Sequence, residues 1–236
     1  MLDRRGFMVS GGAFALAQTD AAAAADSGTN IKHDGAEASK NTAADPLYAL
    51  TPGEAEFLTA VVDAFIPADD LSPSGSECGV VVFIDRQLAG AYGAGARLYQ
   101  EGPFQPGNGQ SQFGPQSPLA PLQFIQLGIA ELDAWSMANS NVPVRQLAKP
   151  ELNTLLQNLE AGKIALPRID ARAFFSALLQ LTMEGFFSDP IYGGNRDKAS
   201  WRMIGYPGLP ATYAKAIKQY RGRRYQAEPK SIADFL

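Results

Sequence analysis

Between residues 184 and 208 the chain reads EGFFSDPIYGGNRDKASWRMIGYPG. Two carboxylates, Glu184 and Asp189, stand near the amide of Asn195, the cations Arg196, Lys198 and Arg202, and the rings of Phe186, Phe187, Tyr192, Trp201 and Tyr206. Carboxylates in such a setting could share acid–base work, or Asp189 could open a calcium loop with Gly194 at its sixth position. The calcium set fails, because Ile191, Gly193 and Ser200 occupy the third, fifth and twelfth positions, where oxygen ligands are required. Glu184 closes a helical run beside Asn195, Arg196 and Lys198, which suits pairing or capping. The other reading is a docking surface, since Trp, Tyr, Met and Arg are the types enriched in protein interfaces and their hot spots.

The rest of the chain offers little further chemistry. His33 is the only histidine, and it lies in the polar stretch 26–46, DSGTNIKHDGAEASKNTAADP, which reads as a flexible linker. A general base must be held within reach of the reacting group, and a linker does not do that. Cys78 is the only cysteine, so haem attachment through Cys-x-x-Cys-His is excluded, and with His33 in the linker only carboxylates remain for a zinc site, which suits zinc poorly. Its thiol is either buried as a small apolar group or bridged to another chain, a possible intersubunit disulfide. GAYGAGAR, the nearest approach to a dinucleotide-binding loop, has the wrong spacing and falls in a helical run. No catalytic, cofactor-binding or metal-binding residue is therefore expected in this chain.

The N-terminus, MLDRRGFMVSGGAFALAQTDAAAAA, has the order of an export signal: adjacent Arg4 and Arg5, a glycine-diluted apolar run, then small residues. Paired arginines with Phe7 behind them point to the twin-arginine route, which exports folded proteins. Asp3 departs from the usual motif, and an ordinary amphipathic N-terminus is the alternative. Past residue 25 no apolar stretch approaches the roughly 20 residues that cross a bilayer. The net charge of −4 argues against nucleic acid as a partner. Charge is uneven, however: from Arg196 onward nine Lys or Arg face three acids, leaving the remainder at −10. A basic end can steer an acidic partner, lie near anionic lipid heads, or simply suit a helix dipole.

The elements that must position these residues are helical. Thr51, Pro52 and Glu54 signal a helix start, followed by Phe57, Leu58, Val61, Val62, Phe65 and Ile66 at helical spacing and a stop at Pro67. A second helix is predicted from about Glu77 to Leu98, although Val80–Phe83 has strand propensity. Residues 101–121, rich in Gly, Pro and Gln, form a long loop. Further helices carry the stripe Leu122, Ile125, Ile129, Leu132, the run Leu152 to Leu159 closing at Gly162, and ARAFFSALLQLTMEGFF behind Asp170, the central buried helix. LPATYAKAIKQYRGRRY supplies a last amphipathic helix, and QAEPKSIADFL an extended tail. The sum is an all-α fold, a single helical domain over 47–236 of about six helices with long ordered loops, preceded by a signal at 1–25 and a linker at 26–46.

Three segments, LTPGEAEFLTAVVDAFIPADD, LLQNLEAGKI and above all FFSDPIYGGNRDKASWRMIGYPG, resemble the gluconate 2-dehydrogenase subunit 3 family, the small or gamma subunit of a membrane-bound dehydrogenase. The likeness runs over residues 48 to 225. It implies a non-catalytic subunit without cofactor, exported to the periplasm by the twin-arginine route. The implied partners are a large FAD-containing flavoprotein of the glucose–methanol–choline type and a multihaem cytochrome c, which bring it to the cytoplasmic membrane. Phe187, Asp189, Tyr192, Asn195, Arg196, Trp201, Arg202 and Tyr206 are the expected contact residues, with the 101–121 loop beside them. An independent periplasmic sugar-binding protein or enzyme, its pocket lined by Glu184, Asp189, Arg196 and Trp201, is the alternative.

Overall fold

Helix α1, Pro52–Phe65, starts where the sequence predicts. The Thr51 hydroxyl accepts from the Glu54 N–H, and the Glu54 carboxylate accepts from the Thr51 N–H at 2.7 Å, closing a reciprocal capping box. The computed structural model describes residues 45–99, 101–104, 116–210 and 212–236, and Pro46–Leu236 forms one unit. The expected signal, the linker up to residue 44 with His33, and the middle of the 101–121 loop lie outside the described residues.

Six further helices follow among the described residues: α2, Val80–Ala89; α3, Pro121–Ser140; α4, Lys149–Glu160; α5, Ala171–Phe187; α6, Ala199–Ile204; and α7, Ala214–Gln219. Short 3-10 turns connect several of them, and no strand occurs among the described residues, so the fold is all-α. Helix α5 is the centre, packing against α1, α2, α3, α4 and α6. The Asp170 carboxylate accepts from the Ala173 N–H at 2.7 Å, and Phe174, Phe175, Leu178, Leu181 and Phe186 are buried along the helix. Its apolar character does not surround it completely, because Arg172, Gln180 and Glu184 keep one side in solvent.

Two glycines set how closely the neighbours approach. A Cβ on Gly128 of α3 would stand 2.2 Å from the Phe174 ring, and one on Gly185 of α5 would stand 2.8 Å from the Phe83 ring. Each phenylalanine ring therefore occupies the space a side chain would take at the glycine, which close packing exploits.

Charge inside the core has a structural purpose. The buried Asp85 carboxylate of α2 accepts the backbone N–H groups of Tyr48, Ala49 and Leu50 at 2.8, 3.0 and 2.9 Å. Those donors would otherwise lack partners where the chain enters α1. Glu131 of α3, also buried, receives Arg168 through its Nε at 2.6 Å and its backbone N–H at 3.2 Å, fastening the α4–α5 connection.

Three elements differ from the sequence reading. Helix α2 ends at Ala89 and not near Leu98, because Gly90, Gly93 and Gly95 let the chain fold back on the helix end. The Gly93 N–H donates to the Gln87 carbonyl at 3.2 Å, with no room for a side chain beside Leu88. The last helix spans only Ala214–Gln219. The C-terminal tail is docked: Gly208 and Lys230 form an isolated bridge, and Ile232–Phe235 makes a 3-10 turn.

Substituting Gly128 by Ala should destabilise the protein by about 1–3 kcal/mol through overpacking against Phe174. Replacing Asp85 by Ala should cost about 3 kcal/mol, because three N–H groups lose their acceptor. Chemical denaturation of the two variants measures both effects.

Candidate functional site

The polar cluster of residues 184–208 begins where α5 stops. Ser188 and Asp189 lead into a 3-10 turn at Pro190–Tyr192, and Gly193, at φ 100°, reverses the chain. Asn195 follows at φ 46°, a left-handed conformation that Asn tolerates better than most residues. It is fully buried. Its Nδ2 donates to the Ser188 carbonyl at 2.9 Å, and its Oδ1 accepts the Ser200 N–H at 3.0 Å and the Ser200 hydroxyl at 2.8 Å. One side chain thus ties the end of α5 to the start of α6.

The loop so formed is pressed onto α2 and α5 by backbone contact. The Arg196 N–H donates to the Cys78 carbonyl at 2.9 Å. A Cβ on Gly79 would stand 2.3 Å from the Gly193 carbonyl oxygen, and one on Gly194 would stand 2.1 Å from that of Gly185. Main chain meets main chain at both points, and only glycine permits it.

Trp201 closes the cluster from inside. It is 6% exposed, its indole N–H donates to the Phe187 carbonyl at 2.9 Å, and its ring meets Tyr206 edge-on at 5.1 Å. Asp189 spends both oxygens on backbone: Oδ1 accepts from the Ile191 N–H at 3.0 Å, and Oδ2 from the Ile232 N–H at 2.9 Å. The tail adds a salt bridge, Lys198 Nζ to Asp234 Oδ2 at 2.6 Å. That ammonium is the main reason the Asp234 carboxyl is pulled down to about 2, with the Ser231 N–H next in effect.

The expected contact residues therefore separate. Asn195 and Trp201 are buried in this chain, where their hydrogen-bonding groups find partners. Phe187, Asp189 and Arg196 are half-buried, while Tyr192, Arg202 and Tyr206 are exposed. Cys78 is buried at 1% exposure, its thiol 3.7 Å from the Pro73 carbonyl.

Of the four residues of the pocket reading, Asp189 and Arg196 are half-buried and Trp201 is buried. Glu184 is exposed and accepts from Gln180 at 2.8 Å. Its charge, after burial, is the second cause raising the nearby Tyr92 phenol above its usual range. An open groove of about 670 Å³ lies elsewhere, between Leu47, Pro52, Glu56, Thr59 and Arg145, and a smaller one of about 280 Å³ lies beside Ile164 and Arg172. Among the described residues no group of three His, Cys, Asp or Glu side chains is arranged to hold a metal.

The docked tail was missed in the sequence. Its signal is S-x-x-D: Asp234 Oδ2 accepts the Ser231 N–H at 2.6 Å, the reciprocal cap of a helical turn.

Together these features define a small helical scaffold whose densest polar cluster is a lock between its own elements. The chain belongs to the gluconate 2-dehydrogenase subunit 3 family, which its sequence matches over residues 52–208. No curated protein and no solved structure matches the chain.

Truncating Asn195 to Ala should lower stability by about 3 kcal/mol, by stranding the Ser188 carbonyl and the buried Ser200 groups. Trp201→Ala should cost the isolated chain about 3–5 kcal/mol, read from its urea midpoint. The depressed Asp234 carboxyl lends the tail its full hold above about pH 4, and that hold falls away as pH drops through about 2. Carbon-detected NMR should find the Asp234 titration near 2 and see it move up in Lys198→Met.

Proposed function

We propose that this chain is the non-catalytic small subunit of a periplasmic, membrane-associated, FAD-dependent dehydrogenase that oxidises a sugar acid, sugar or polyol. In this reading the FAD belongs to a large flavoprotein subunit and haem c to a cytochrome subunit. The chain stabilises the flavoprotein, assists its maturation and accompanies it through the twin-arginine route.

The observation that carries the proposal is the family match over residues 52–208, which spans the whole Asn195 lock. The family is named for one subunit of a multi-subunit dehydrogenase. What a scaffold of this kind needs is a rigid surface, and the lock supplies it by fixing the loop after α5 against α2. Of the expected contact residues, Tyr192, Arg202 and Tyr206 are exposed. Their types suit contact with a protein.

Expressing the flavoprotein without this chain should leave it cytoplasmic or unstable, and restoring the chain should return it to the periplasm in active form. Fractionation followed by dye-linked dehydrogenase assay reads the result. Export and activity of the flavoprotein in full without this chain would overturn the proposal.

A further inference from the structure

Beyond Gly208 the chain leaves the helical body in an arm that carries its own charge. Residues 212–230 hold Lys215, Lys218, Arg221, Arg223, Arg224 and Lys230 against the single acid Glu228. Lys230 sits over the Phe235 ring at 5.7 Å. The side chains of the other five cations are exposed, and none forms an ion pair with another described residue. From residue 46 to 209 the balance is opposite, sixteen carboxylates against ten cations.

The arm nonetheless has a shape. Tyr225 meets Tyr220 edge-on at 4.9 Å and Tyr213 at 6.4 Å, and the Tyr213 hydroxyl donates to the Gly208 carbonyl. Ile217 stands 69% exposed on α7. A tyrosine cluster thus orders a segment whose cations are exposed and uncompensated, on a chain whose remainder is acidic.

We propose that this arm is a docking element for an acidic face of the flavoprotein subunit, a partner that rests on the functional reading above. Guanidinium forks such as those of Arg221, Arg223 and Arg224 bind carboxylates in bidentate fashion, and the exposed Tyr225 and Ile217 supply contact area around them. A protein suits the arm better than an anionic bilayer. The six-residue α7 is too short to lay down an apolar face, the tyrosine rings are turned on one another, and an acidic body would be repelled by lipid phosphates. Free charges of this kind act chiefly on the rate of encounter and lose effect as salt screens them.

The test compares the full chain with a variant carrying Lys215→Gln, Lys218→Gln, Arg221→Gln, Arg223→Gln and Arg224→Gln, each binding the purified flavoprotein subunit at 20 mM and 500 mM NaCl. The variant should keep the wild-type circular dichroism and thermal midpoint. At low salt its association rate should fall by about tenfold to a hundredfold, and the gap should close at high salt. An association rate equal to that of the wild type at both salts would overturn the arm's role while leaving the subunit reading intact. Failure of the wild-type chain to bind the flavoprotein would overturn both. Loss of binding to vesicles of phosphatidylcholine and phosphatidylglycerol, or of self-association, with flavoprotein binding unchanged would also overturn it, in favour of lipid or of a second copy.

Discussion

Asn195 is the residue on which the arrangement of the second half of the chain depends. Its amide is buried, and each of its bonds joins a segment that would otherwise be free to move: Ser188 at the end of α5, Ser200 at the start of α6. A buried amide is tolerated only when its partners are in place, so the side chain imposes one conformation on the loop between them. The glycines at 79, 193 and 194 extend that constraint outward, because backbones that touch leave little slack. Trp201 then fills the space the lock encloses, and Asp189 carries the order on to the tail.

Much of the fold was legible because it rests on local chemistry. Thr51 with Glu54, Asp170 before α5, and Gly162 after α4 mark helix ends by the groups they satisfy, and those groups lie within a few residues. The spacing of Phe57, Leu58, Val61 and Val62 gave the buried face of α1 for the same reason. Where three glycines follow α2, an apolar period continued past the point at which the backbone could sustain a helix. Periodicity reports which side chains would share a face, and says nothing of whether a chain bends back on itself.

The candidate site was harder to read. Trp, Tyr, Asn and Arg in one run have the composition of an interface and equally that of a core lock with polar handles. The difference lies in what each handle bonds. Asn195 and Trp201 reach backbone carbonyls 7 and 14 residues back, and Asp189 reaches the Ile232 N–H 43 residues on, and residue types in a run do not reveal which of them bond. Asp85 is a similar case, a lone acid inside an apolar helix whose three partners precede it by 35 to 37 residues.

The tail attachment has a consequence for where the family's signature gets its finish. Ile232 and Asp234, which complete the bonding of Asp189 and Lys198, stand 43 and 36 residues further along the chain. Both lie beyond residues 52–208, the stretch that matches the family. Part of the matched surface is thus closed by a segment outside the match, so two chains alike over that stretch can still differ there if they differ in the tail.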